Sequence, residues 1–139
     1  MLAYAMTQEL ATFLSYRNLR HRLDSHGGDP ALARLLTLLA VDEKAHYDFF
    51  LQCVQVYLKH DREATLEQLR RVMNNFQMPA IHELAESRKR VAEILELQIM
   101  DEDTYYREVY LPILLALNVS RKEMRNRVTL PKSAKLEAT

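Results

Sequence analysis

The sequence is poor in the residues that build turns, cross-links and charge asymmetry. Its 139 residues include two glycines, four prolines, one cysteine and no tryptophan, and 19 lysines plus arginines balance 19 aspartates plus glutamates. With so few glycines and prolines the chain has few places to reverse tightly, which disfavours many short strands and favours long helices. Zero net charge argues against a nucleic-acid partner, whose phosphates call for a basic excess. The single cysteine, Cys53, excludes an internal disulfide and fits a reducing, cytoplasmic setting. No apolar run approaches the roughly 20 residues that span a bilayer. Residues Met1 to Met6 carry neither a basic leader nor a long apolar stretch, so no secretory signal is expected. Hydrophobic residues at 48% and charged residues at 27% are ordinary for one globular domain.

What is present is helical periodicity. Leu2, Met6, Glu9, Phe13, Tyr16, Leu19 and Leu23 recur every three or four residues, as on one face of a first helix. Gly27-Gly28 then suits a left-handed helix cap, Asp29 an N-cap and Pro30 the first position of the next helix. The second helix is expected from Pro30 to about Lys59, with Leu32, Leu36, Leu39, Glu43, His46, Phe50, Cys53 and Tyr57 forming a bundle seam. The short connection makes these two long helices antiparallel neighbours. Shorter helices are expected at 64–76, 81–100 and 103–117, the last capped by Asp101 and kinked or interrupted by Pro112, with Ser120 and Glu123 boxing the start of a final one. This reading gives an all-α chain, one helical domain over 1–128 and a polar tail over 129–139.

Glu43 and His46 occupy seam positions where Leu or Ile would be usual. An ionised carboxylate buried without a partner costs several kcal/mol, so compensation is required. The three-residue offset puts both side chains on one helical face, able to hold one metal centre. Bundle di-iron sites use a Glu from each of two helices and a Glu-x-x-His from each of two others. Glu9 interrupts the first helix and lies about 18 residues before the Gly27-Gly28 turn, while Glu43 lies about 15 residues after it. The two carboxylates are therefore expected at similar heights, and iron suits this donor set. Asp42 is a candidate to orient an imidazole, and Thr12, one turn beyond Glu9, a candidate hydroxyl beside the metal.

The segments Thr7-Gln8-Glu9-Leu10-Ala11-Thr12-Phe13, Gly27-Gly28-Asp29-Pro30, Val41-Asp42-Glu43-Lys44-Ala45-His46 and Gln77-Met78-Pro79-Ala80 share the order and spacing of soluble acyl-acyl-carrier-protein desaturases. The chain resembles the second half of that family over roughly residues 4–115. The resemblance implies a ferritin-like bundle, here partial, and an oxygen-activating di-iron centre. It further implies insertion of a cis double bond into an acyl chain on acyl carrier protein, with electrons from a ferredoxin-type donor. Carried over, Glu9, Glu43 and His46 are metal ligands, Asp42 holds an iron-bound imidazole, and Thr12 is the hydroxyl near the oxygen-binding face.

The family places a further Glu and a further Glu-x-x-His on earlier helices, and no second such pair occurs in these residues. Three expectations account for the shortfall. The chain is a fragment of a longer enzyme, or two copies pair as a homodimer that rebuilds the ligand set, or the chain is a non-catalytic helical interaction module.

Overall fold

A computed structural model of the chain describes residues 1–25, 27–77, 96 and 99–125. The expected helix over 81–100, apart from Glu96, Ile99 and Met100, lies outside the described residues, as do most of the Gln77-to-Ala80 segment and the tail. The described residues are all-α and contain no strand, and they form a partial ferritin-like bundle built on two long antiparallel helices. These are α1 (Leu2–Ser25) and α2 (Pro30–His60). Next come α3 (Arg62–Met73) and α4 (Glu102–Thr104), which runs into a π-helical stretch (Tyr105–Tyr110). After these, α5 (Leu111–Ala116) and α6 (Arg121–Arg125) complete the order.

The hairpin between α1 and α2 is fixed by local chemistry. Gly27 adopts φ 66°, and the Gly28 amide donates to the Leu23 carbonyl at 3.0 Å, closing the end of α1. A Cβ on Gly28 would stand 2.1 Å from Leu23 Cδ1, so any larger residue there requires the Leu23 side chain to shift. Asp29 accepts from the Ala31 amide at 2.7 Å, and Pro30 follows in the first turn of α2.

Both long helices are rotated relative to the seams expected from sequence. In α1 the buried residues are Ala3, Met6, Thr7, Leu10, Ala11 and Leu14. In α2 they are Leu36, Ala40, Tyr47, Val54 and Leu58, whereas Leu32, Tyr57 and His46 are exposed. The physical reason is that α2 is apolar on two adjacent sides. Residues spaced by three and four can be read along either side, and only the partner helices decide which is covered. One side, with Glu43 at its margin, packs on α1. The other carries Leu35, Leu38, Asp42, His46, Phe49 and Val56 and is open among the described residues.

The helices of the hairpin share one hydrophobic cluster with α3 and the C-terminal segment. Leu66, Leu69 and Met73 of α3 meet Met6, Leu10, Val54, Val109 and Ile113 there. Asp61 caps α3 by accepting from the Ala64 amide at 3.1 Å. The Tyr105 hydroxyl donates to the Met73 carbonyl at 2.8 Å, and its ring stacks on Phe76 at 5.3 Å. Asp101 caps α4, as expected from sequence, by accepting from the Thr104 amide. Pro112 does not break the helix. The backbone ladder ahead of it slips to the wider π spacing, with the Leu111 amide donating to the Tyr106 carbonyl.

α5 closes on Asn118 at φ 52°, with the Val119 amide donating to the Leu114 carbonyl. The Ser120–Glu123 box forms: the Ser120 amide donates to Glu123 Oε2 at 2.8 Å and the Glu123 amide to Ser120 Oγ at 3.2 Å. No helix among the described residues is long and apolar enough to cross a membrane.

Candidate metal centre

Glu9 stands about a third of the way along α1, and Glu43 and His46 flank the midpoint of α2. Because the hairpin turn is short and both helices are straight runs of ordinary helix formers, residues at matched distances from the turn come to one height. One donor atom from each of Glu9, Glu43 and His46 lies within 4.8 Å of the other two. His46 Nδ1 is 3.5 Å from Glu9 Oε2 and 3.5 Å from Glu43 Oε2. The carboxylate side chains are 18% and 19% exposed and the imidazole 60% exposed, so the cluster has a sheltered floor and an open top.

Burial raises the Glu9 carboxyl to about 7, with the side-chain hydrogen bond to Glu43 and that group's negative charge adding to the effect. His46 works in the opposite direction. A cation would remove this strain by attracting both carboxylates. Donor atoms each bound at about 2.0–2.2 Å, as at zinc, stand roughly 3–4.4 Å apart, so the observed 3.5 Å separations suit one ion between them. Two carboxylates and an imidazole form a hard-to-borderline set suited to iron.

The other sequence candidates differ. Thr12 is half-buried on α1, one turn from Glu9, and its hydroxyl donates to the Gln8 carbonyl at 2.9 Å. Asp42 is exposed on the open side of α2, and no hydrogen bond or ion pair joins it to His46 among the described residues. Sequence reasoning missed that Glu43 and His46 belong to different stripes of α2. The signal was a second run at three-and-four spacing, Leu35, Leu38, Asp42, His46, Phe49, Cys53 and Val56.

The fatty acid desaturase family profile matches residues 1–135. Stearoyl-acyl-carrier-protein 9-desaturase 6, chloroplastic, of Arabidopsis thaliana is 32% identical over 108 residues, 71% of this chain and 27% of its own length. A putative acyl-acyl-carrier-protein desaturase of Mycobacterium tuberculosis is 25% identical over 120 residues, 86% of this chain and 34% of its own. Acyl-acyl-carrier-protein desaturase 7, chloroplastic, of Oryza sativa is 36% identical over 78 residues, 55% of this chain and 19% of its own. The chain thus spans between about a fifth and a third of the length of these curated relatives. No solved structure matches. The profile covers nearly the whole chain, and the chain belongs to the acyl-acyl-carrier-protein branch of the fatty acid desaturase family.

Proposed function

We propose that this chain supplies half of the protein ligands of a di-iron desaturase centre: Glu9, Glu43 and His46. The observation that carries the reading is the convergence of these three donors within 4.8 Å, from two helices, in a chain of this family. The remaining ligands come from a second helical pair packed over His46, on the open side of the cluster.

The reaction is removal of two hydrogens from adjacent methylenes of a saturated acyl chain on acyl carrier protein, leaving a cis double bond. Oxygen, the two hydrogens, two protons and two electrons from a ferredoxin-type donor end as water. Iron bound in the centre supplies the oxygen activation that this oxidation of an unactivated carbon requires.

The chain's own residues do the rest. Glu9 and Glu43 bring negative charge that offsets the cation, and α1 and α2 hold them at one height without reorganisation. His46 brings a neutral nitrogen donor from the open side. Leu10 and Tyr47 are buried in the α1–α2 contact, which keeps water from that flank. Thr12, by the family resemblance, is the hydroxyl beside the centre, and Asp42 the group that steadies an imidazole.

Anaerobic ferrous titration tests the ligand set. Glu43→Ala and His46→Ala should each abolish binding while leaving helical circular dichroism largely intact. Unchanged binding in either variant refutes the assignment. Gas chromatography of the acyl chain, after incubation of the iron-loaded protein with acyl carrier substrate, reduced ferredoxin and oxygen, tests the reaction. Only saturated chains from protein that binds iron would favour the second reading, a non-catalytic interaction module, which the open apolar side of α2 supports.

A further inference from the structure

The last carbonyls of α3 have no partners within the helix and must be met from beyond it. Arg70 accepts from the Asn74 amide at 3.3 Å and Val72 from the Asn75 amide at 3.2 Å, while Arg71 accepts from the Asn75 side-chain amide at 3.1 Å. Met73 accepts from the Tyr105 hydroxyl at 2.8 Å. The Tyr110 hydroxyl donates to Oδ1 of Asn74, the residue that caps the helix, at 3.2 Å. Both phenols come from the π-helical stretch ahead of Pro112.

Their spacing of five residues decides what they can reach. On an α-helix, at about 100° per residue, two such side chains point roughly 140° apart and cannot both face one neighbour. The π ladder bonds residue i to residue i+5 and brings the pair to one side. Tyr105 and Tyr110 do lie on one side, with ring centroids 6.5 Å apart. We propose that the π turn is a latch on the end of α3, closed in the π register, open in the α register, and kept closed by Pro112.

Pro112 acts on the register because it has no N–H for the Glu108 carbonyl and its ring clashes there, so the α ladder is barred at that point. The turn is anchored on its other sides: Glu108 pairs with Arg17 of α1, and Val109 is fully buried in the core. Burial pushes the Tyr105 and Tyr110 hydroxyls above their usual 10, so both stay protonated and remain donors. The latched helix packs, through Leu66, Leu69 and Met73, in the cluster that holds Met6 and Leu10, and these two bracket Glu9 along α1. The latch therefore seats the helix that backs the metal-bearing stretch of α1.

Amide hydrogen exchange of the 139-residue chain, read by NMR at Asn74 and Asn75, tests the latch in Tyr110→Phe, Pro112→Ala and the double variant. Tyr110→Phe removes only a hydroxyl, and Pro112→Ala only permits the α ladder. Each single variant should speed exchange at Asn74 and Asn75 by about two- to tenfold, the effect of one hydrogen bond. The double variant should exchange no faster than Pro112→Ala alone, because the open latch has already released the phenol. Exchange at Leu66 and Leu69, inside α3, should not change. Unchanged exchange at Asn74 and Asn75 in either single variant overturns the proposal. So does a double variant in which the two effects add, since proline and phenol would then act independently. Equal acceleration at Leu66 and Leu69 also overturns it, because the whole helix would then be loosened rather than its end released.

Discussion

The Glu9–Glu43 pair makes a demand on the metal-free protein that stability measurements can read. Burial and Glu43 raise the Glu9 carboxyl from 4.5 to about 7. A displacement of that size corresponds to about 3 kcal/mol for ionising the group in the folded chain. Glu9 keeps some access to solvent, which reduces the figure to about 2 kcal/mol. The folded state binds the proton more tightly than the unfolded state. Its contribution is therefore complete below the unfolded value near 4.5 and disappears as pH rises through about 7.

Metal-free wild type should accordingly lose about 2 kcal/mol of stability between about pH 5 and about pH 8 from this group. Glu9→Gln, which keeps the shape without the charge, should match wild type at the lower pH and exceed it by about 2 kcal/mol at the higher. The assay is urea unfolding followed by circular dichroism, with a chelator present. A Gln variant less stable than wild type at the higher pH would refute the reasoning, because the carboxylate would then be held by contacts that favour its charge. The same variant should bind ferrous ion more weakly, so that stability and metal affinity move in opposite directions.

Other consequences follow from the packing. Leu69 is fully buried among Met6, Leu10 and Ile113, and Leu69→Ala should destabilise the fold by about 2–5 kcal/mol in the same unfolding assay. Gly28→Ala forces a Cβ into Leu23 and should lower the melting temperature more than Gly27→Ala, where a side chain meets nothing within 4 Å and only the positive φ objects. Hydrogen bonds from the Ser120 amide and hydroxyl and from Arg62 hold Glu123 down at about 2. Its contribution is present above the usual 4.5 and is lost as pH falls toward 2, so acid should loosen α6 first, visible as faster amide exchange at Glu123 and Met124. Ser120→Ala should weaken that pH dependence without removing it, because the Ser120 amide and Arg62 still hold the carboxylate, and should cost about 0.5–2 kcal/mol.

The hairpin was legible because its signals are local. Gly27-Gly28, Asp29 and Pro30 act through one backbone turn and one cap, and they place Glu9 level with Glu43 by counting alone. The α4 cap at Asp101 and the Ser120–Glu123 box were legible for the same reason. The rotation of the helices was not. Leu32 and Leu36 look equivalent along the sequence, yet Leu36 is buried and Leu32 exposed, a choice made by the neighbouring helices. The π-helical stretch before Pro112 was equally hidden, since the proline dictates that a hydrogen bond be lost but not how the ladder adjusts. The burial difference between Glu43 and His46 follows from the same rotation, and it exposes the cluster on one side.

Ferrous ion bound per chain, after anaerobic loading and gel filtration, tests the central claim most directly. The account predicts about one iron per chain, the share of a two-iron centre carried by half of its ligands, falling to near zero in His46→Ala. A wild-type value near zero, or one that His46→Ala leaves unchanged, would contradict it.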